Sequence, residues 1–305
     1  MREIVEHYAR QVKMAEQLDT DLVPVAKLQT ATHIYAAAFG SPIKTFTDDN
    51  PCALPFVTTA EEADKIEEPD IWSSPGIARI FELGEKVQKE LGPDAYLGPC
   101  DMQTGFDTAC LIWDKSELYI AMVDPEQSAA LQRLSGKCAR FFKRVLTELR
   151  RAFPQMSWCH CPGAWSPPEM GPWMSNDECG AVSPPMFEQF MLPEMIDLAE
   201  AFGGIGMHCC ADAEHQFQSF KKIPNFYGFN RVAAKQGYAP LVEQFDGSDQ
   251  TPVMVLAWVP DDAMEMPLKR APEGMRFIFF YATNDNADAK RWLDLARSIN
   301  SRTAL

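Results

Sequence analysis

A histidine and two cysteines close together on one short apolar segment are the residues of this chain best suited to chemistry. In Gly204-Ile205-Gly206-Met207-His208-Cys209-Cys210, alternation along a buried strand puts His208 and Cys210 on one face and Met207 and Cys209 on the other. Residues two apart on a strand are about 6 to 7 Å apart at Cα, close enough for an imidazole nitrogen and a thiolate to bind one zinc ion. The same residues also fit a plainer arrangement, a packed cysteine pair beside a hydrogen-bonded histidine.

A zinc site needs three or four ligands, and a catalytic one leaves a position for substrate. Cys159 or Cys161 of Cys159-His160-Cys161, Cys179, and the carboxylate of Glu178 are candidates for the third. Asp177 and Glu178 are candidates for general acid or base work, and adjacent carboxylates also serve as caps. Asp101, after Gly98-Pro99-Cys100, either reaches the same site or caps a helix starting near residue 103. Cys100, Asn230, Arg231, Asp261, Asp262, Asn284 and Asp285 lie at expected strand ends, and Asn176 lies in a long loop. Trp158, Trp165, Trp173 and Phe187 either wall a pocket or pack in the interior. His215 is expected to be exposed and outside the site.

These residues need a scaffold that gathers strand ends on one face. Helical patterns over 1–18, 30–39, 76–91, 103–122, 125–152, 184–202, 212–222, 231–245 and 286–298 alternate with strand patterns over 22–28, 95–98, 156–161, 204–210, 225–230, 252–258 and 275–281. Thr59 with Glu62 forms a capping-box pattern after an irregular stretch over 41–58. Residues 162–183, rich in Pro, Gly and Trp, are too long for an ordinary connector and have the character of an active-site lid. This order predicts a single-domain (β/α)8 TIM barrel of class α/β over 1–305, with an N-terminal helical extension and an eighth strand inferred. A doubly wound open sheet is the alternative, although no GxGxxG follows any strand.

The chain has 305 residues, 46% of them hydrophobic, and a formal net charge of -15, which disfavours nucleic acid and anionic membranes as partners. Nine cysteines at irregular spacings do not describe a secreted disulfide framework. The opening MREIVEHYARQ lacks a signal core, and there is no uninterrupted apolar run of about 18 residues. The expectation is a cytoplasmic protein whose thiols are available for metal or chemistry.

Several segments between residues 54 and 299 resemble the uroporphyrinogen decarboxylase-like superfamily, which includes the decarboxylase of haem synthesis and zinc-dependent cobalamin:coenzyme M methyltransferases. They are Leu54-Pro55-Phe56-Val57 with TTAEEADKIEEPD, YLGPCDMQTGFDTA, Met122-Val123-Asp124-Pro125-Glu126, and Val182-Ser183-Pro184-Pro185-Met186-Phe187-Glu188-Gln189-Phe190 followed by Leu192-Pro193 and the His208 strand. The resemblance implies a (β/α)8 barrel. The methyltransferase branch binds zinc through a His-x-Cys pair and a distant C-terminal cysteine. His208 and Cys210 match the pair, but no cysteine follows residue 210, so a third ligand must come from elsewhere. The decarboxylase's arginine-rich N-terminal motif has no counterpart, since only Arg2 and Arg10 precede residue 79.

The first expectation is therefore a zinc-dependent methyl or alkyl transferase acting on a small thiol or a corrinoid-linked methyl group, with a corrinoid protein as a candidate partner. His208 and Cys210 would be ligands, with Glu178, Cys179 or Cys161 adding to them and Asp177 handling a proton. One alternative is a metal-free decarboxylase in which Asp101 or Asp177 stabilises a cationic intermediate. Another is a barrel that binds a corrinoid or tetrapyrrole without catalysis, using the lid as a clamp.

Overall fold

In a computed structural model, residues 1–232, 237–245, 247, 251–257 and 259–303 are described. Among them the strands are β1 (Ala26–Lys27), β2 (Ile43–Lys44), β3 (Cys52–Ala53), β4 (Leu97–Gly98), β5 (Trp173–Ser175), β6 (Ile205–Cys209), β7 (Phe226–Val232), β8 (Val253–Ala257) and β9 (Phe277–Phe280). Strands β5 to β9 form one parallel sheet in chain order, β1 and β4 form a parallel pair, and β2 and β3 an antiparallel one. The architecture is thus mixed α/β, with parallel strands separated by helices. Among the described residues the ladders form separate sheets, not one continuous ring. Single parallel bridges, Leu97 to Met156 and Gln103 to Ser175, connect the neighbourhood of the β1–β4 pair to further segments. No helix among the described residues is long and apolar enough to cross a membrane.

The longest helix, Pro125–Ala152, forms where its sequence directs. Asp124 caps it through the Glu126 N–H, Pro125 opens its first turn, and Arg150 and Arg151 complement the dipole of its last. Leu131, Leu134, Cys138, Phe141, Phe142, Val145 and Leu149 recur at helical spacing and are fully buried. The Thr59–Glu62 capping box is present as expected.

Several expected elements differ. The helix over 103–122 is two, Gly105–Ile112 and Lys115–Val123, because Asp114 caps the second and Trp113 pairs with Val57. Strand 22–28 shrinks to β1, and of 156–161 only Met156 pairs, with Leu97. Beyond it Ser166 Oγ takes the Trp158 N–H at 3.0 Å and Ser157 Oγ the Ser166 N–H at 2.8 Å, so side chains replace a ladder. The lid contains β5, and the stretch over 41–58 contains β2 and β3. The helix expected over 231–245 starts too early, since Arg231 and Val232 still belong to β7 and helix is confined to Ala239–Gln244. Residues 233–236 of that helix, and Trp258 of the strand over 252–258, lie outside the described residues.

Two close approaches set the geometry beneath the site. Trp173 lies across Gly206 and Gly228, its partners on the next two strands, where an added Cβ would come within 1.9 and 2.2 Å of the indole. Helix Gly105–Ile112 meets the long helix so tightly that a Cβ on Gly105 would lie 2.4 Å from the Ala139 nitrogen. The Gly105 N–H, buried there, donates to both oxygens of Glu194 at 2.7 and 2.9 Å. Burial pushes the Glu194 carboxyl up to about 7 despite these bonds.

A carboxyl raised in the folded state favours folding in its protonated form, so that stability is full below the unfolded value and is lost as pH rises through about 7. Chemical denaturation at pH 5 and pH 8 should therefore show a loss on the order of 2 to 3 kcal/mol in the wild type that Glu194→Gln lacks. Identical pH slopes in the two proteins would refute this.

Candidate metal centre

Ser175, His208 and Asn230 stand level on β5, β6 and β7 and so share one face of the sheet. A relay of hydrogen bonds fixes the middle one. Asn230 Nδ2 donates to the Val255 carbonyl on β8 at 2.5 Å, which turns Asn230 Oδ1 toward His208 Nδ1, also at 2.5 Å. An amide oxygen only accepts, so Nδ1 carries the imidazole proton and Nε2 presents a bare lone pair.

Nε2 faces Cys210 Sγ at 2.9 Å, Cys161 Sγ at 3.7 Å and Asp177 Oδ1 at 3.9 Å. One donor atom each from Asp177, His208 and Cys210 lies within 4.8 Å of the others. Burial and the Asp177 charge push the Cys210 thiol up to about 12, so the sulfur keeps its proton and donates it toward Nε2. Burial likewise raises Cys161, to about 11, opposed by the Lys27 charge.

Asp177 is held from both ends. Its Oδ1 accepts the Cys210 N–H at 2.6 Å, and its own N–H donates to Asp107 Oδ2 at 2.8 Å. Asp107, fully enclosed on helix Gly105–Ile112, also takes the Glu178 N–H at 3.3 Å. Burial and the neighbouring Asp177 carboxylate push Asp107 well above the usual carboxylate range.

The structure brings Asp177 to the pair, and not Glu178 or Cys179. Glu178 accepts from Lys115 Nζ and Tyr119 Oη, each at 2.6 Å. Cys179 lies on the other face of β6, its sulfur 3.4 Å from Cys209, because alternation points Cys209 away from His208. Asp101 does not cap the helix near 103, a role Thr104 takes through the Asp107 N–H. Instead Asp101 Oδ1 lies 3.8 Å from both Lys27 Nζ and His160 Nδ1. His160 Nε2 lies 3.2 Å from Ser175 Oγ, and its ring centre 6.2 Å from that of His208. Burial lowers His160 to about 4, so it is neutral near pH 7. Lys27 was not among the expected residues, although it stands at the end of β1 where inspection of strand ends would have found it.

The remaining candidates lie elsewhere. Cys100 packs under Tyr35 Oη, Cys159 turns toward the Cys161 carbonyl, and Asn176 Nδ2 points at Met195 Sδ. Arg231, buried, pairs with Asp212 and Glu214. Asp261 binds Arg291 on the surface, Asp285 caps the last helix, and Asp262 and Asn284 are exposed. Trp158, Trp173 and Phe187 are fully buried packing residues, whereas Trp165 lines an outer depression of about 530 Å³ with Tyr96 and Arg150. His215 is exposed, as expected, and contacts the Val182 carbonyl.

Nitrogen, sulfur and carboxylate donors, with the imidazole proton held on the far nitrogen, are a donor set that suits zinc. Ligand atoms around a tetrahedral zinc are about 3.3 to 3.8 Å apart, and Nε2 lies 2.9 Å from Cys210 Sγ and 3.9 Å from Asp177 Oδ1, below and above that range.

No protein-family model matches this chain, and no curated protein sequence matches it. Among solved structures, a methyltransferase from Methanosarcina mazei superposes with a TM-score of 0.67 at 12% identity, covering 99% of this chain and 85% of the other. At that identity the likeness is one of fold.

The Asn230 relay makes a spectroscopic prediction. Nitrogen-15 NMR of His208 should show the Nδ1–H tautomer in the wild type, and Asn230→Leu should abolish that preference while costing about 1 to 3 kcal/mol for the stranded donor. A wild-type Nε2–H tautomer would overturn the assignment of the lone pair.

Proposed function

We propose that this chain is a zinc-dependent methyl or alkyl transferase that modifies a small thiol, with a corrinoid-linked methyl group as a candidate donor. The reading includes a complete (β/α)8 barrel of the uroporphyrinogen decarboxylase-like superfamily, working in the reducing cytoplasm where its free thiols persist. The convergence of Asp177, His208 and Cys210, with Asn230 turning the His208 lone pair toward the other two, carries the proposal. The likeness in fold to a methyltransferase supports it.

His208 Nε2, Cys210 Sγ and the Asp177 carboxylate would hold the ion, and Cys161 Sγ, 3.7 Å from that nitrogen, would be the nearest further donor. Bound zinc supplies stabilisation of a substrate thiolate near neutral pH without a strong base. Asn230 keeps the imidazole proton on Nδ1, so Nε2 remains free to bind. Asp107 and the Cys210 N–H hold the Asp177 carboxylate in place. In the transfer itself the thiol gives its proton to solvent water, the sulfur bonds to the methyl carbon, and the donor keeps the electron pair of the bond it gives up.

Elemental analysis of protein purified without chelator should find about one zinc per chain, falling at least about tenfold in affinity in His208→Ala, Cys210→Ser and Asp177→Asn. The wild type should demethylate methylcobalamin only when a small thiol is present. Wild-type protein without zinc would remove the metal from the reading. Undiminished zinc in His208→Ala would remove the ligand assignment.

A further inference from the structure

Lys27, Asp101 and His160 form a second polar group beside the metal centre, which does not use them. Lys27 Nζ and His160 Nδ1 both stop 3.8 Å short of Asp101 Oδ1, beyond hydrogen-bond range. Some other pairs close, with Lys143 to Asp197 at 2.8 Å, Arg133 to Asp64 at 2.7 Å and Lys222 to Glu188 at 2.6 Å, whereas the exposed Lys86 and Glu82 also stay 3.9 Å apart. The open pair also surrounds a stranded group, since His160 is 3% exposed and its Nδ1 has no hydrogen-bond partner. Buried polar atoms without partners are rare and costly. The Asp101 backbone is not free to adjust, because its N–H donates to Thr30 Oγ1 at 3.2 Å.

These three residues adjoin the metal centre. Cys161 follows His160 directly and places its sulfur 3.7 Å from His208 Nε2, and the two imidazole rings are 6.2 Å apart. A short ligand with its sulfur at the metal centre would therefore bring its other end to Lys27, Asp101 and His160.

The charges select what that end is. Lys27 and Asp101 carry opposite charges, and His160 adds a polar nitrogen beside them. A purely anionic tail would meet Lys27 but be repelled by Asp101, and a purely cationic one would meet the reverse. A zwitterion laid antiparallel to the pair satisfies both. We propose that Lys27, Asp101 and His160 are a subsite for the α-amino acid end of a zwitterionic thiol, its ammonium on Asp101 and its carboxylate on Lys27 and His160 Nδ1. The identity of the sulfur end rests on the transferase reading above, but the subsite does not.

The test uses probes matched in length on the intact protein. Calorimetry should show homocysteine binding roughly tenfold or more tightly than 4-mercaptobutyrate, which lacks the ammonium, or 3-mercaptopropylamine, which lacks the carboxylate. 2-Aminobutyrate, which has no sulfur, should compete with homocysteine, and Lys27→Met and Asp101→Asn should each erase the preference. If Asp101→Asn fails to fold, Lys27→Met alone carries the comparison. Equal binding of the three thiols, or no competition by 2-aminobutyrate, would overturn the subsite even in a protein that binds zinc and transfers methyl groups. Binding of 2-aminobutyrate that is lost in Lys27→Met would uphold it even in a protein that binds no metal.

Discussion

The amide of Asn230 decides which nitrogen of His208 faces Cys210 and Asp177. Its NH2 group is committed to the Val255 carbonyl on β8, so its oxygen must face β6 and must accept. Every chemical property attributed to the site depends on that orientation, because an imidazole with its proton on the other nitrogen would point an N–H at Cys210 and Asp177. Parallel pairing makes the relay available. With β6, β7 and β8 in register, His208, Asn230 and Val255 are adjacent across the sheet, and the relay crosses the strands alongside the slanted bonds of the parallel ladder.

Two buried carboxyl groups, Glu194 and Asp107, keep the third element of the site in place. Glu194 caps the N-terminus of helix Gly105–Ile112, and Asp107 on that same helix accepts the first two N–H groups of the turn that begins at Asp177. The position of the helix is thereby passed on to Asp177. Gly105 lets that helix sit against the Ala139 backbone, and Gly206 and Gly228 leave room for Trp173 under β6 and β7. Burial of Glu194 and Asp107 opposes their ionisation, a cost partly offset by the N–H groups each one satisfies. These carboxyls are needed where a loop must be positioned to a fraction of an ångström.

Elements dominated by local preferences could be read from the sequence. The 125–152 helix has its cap, its proline and its apolar stripe within its own residues, and the strand with His208 and Cys210 follows from alternation. The sequence pointed to Asp177 as a proton-handling group but favoured Glu178 or Cys179 as a ligand, because neighbours in a loop carry no periodicity that says which way each points. That choice is made by partners distant in the chain, Lys115 and Tyr119 for Glu178 and Cys209 for Cys179. Helix 231–245 failed for a related reason, since the pairing of β7 with β8 extends strand structure through Val232 against the helical pattern. Lys27 and Asn230 show a further limit. Asn230 lies at a strand end in the sequence reading and Lys27 inside the strand pattern over 22–28, yet the role of each depends on a partner more than 20 residues away.

Buried polar atoms without partners do not mark a site by themselves. The indole nitrogens of Trp113, Trp173 and Trp292 lack hydrogen-bond partners in this fold too, and each belongs to a large side chain whose packing outweighs one unpaired donor. His160 differs in its surroundings. Its ring lies between the Asp101 carboxylate and Ser175, one residue before Cys161, and beside a charge pair 3.8 Å apart. An ion pair held apart at this distance gains little from its own attraction, since both members remain partly in water, about a quarter exposed. What the separation preserves is the capacity of both charges to engage a third group.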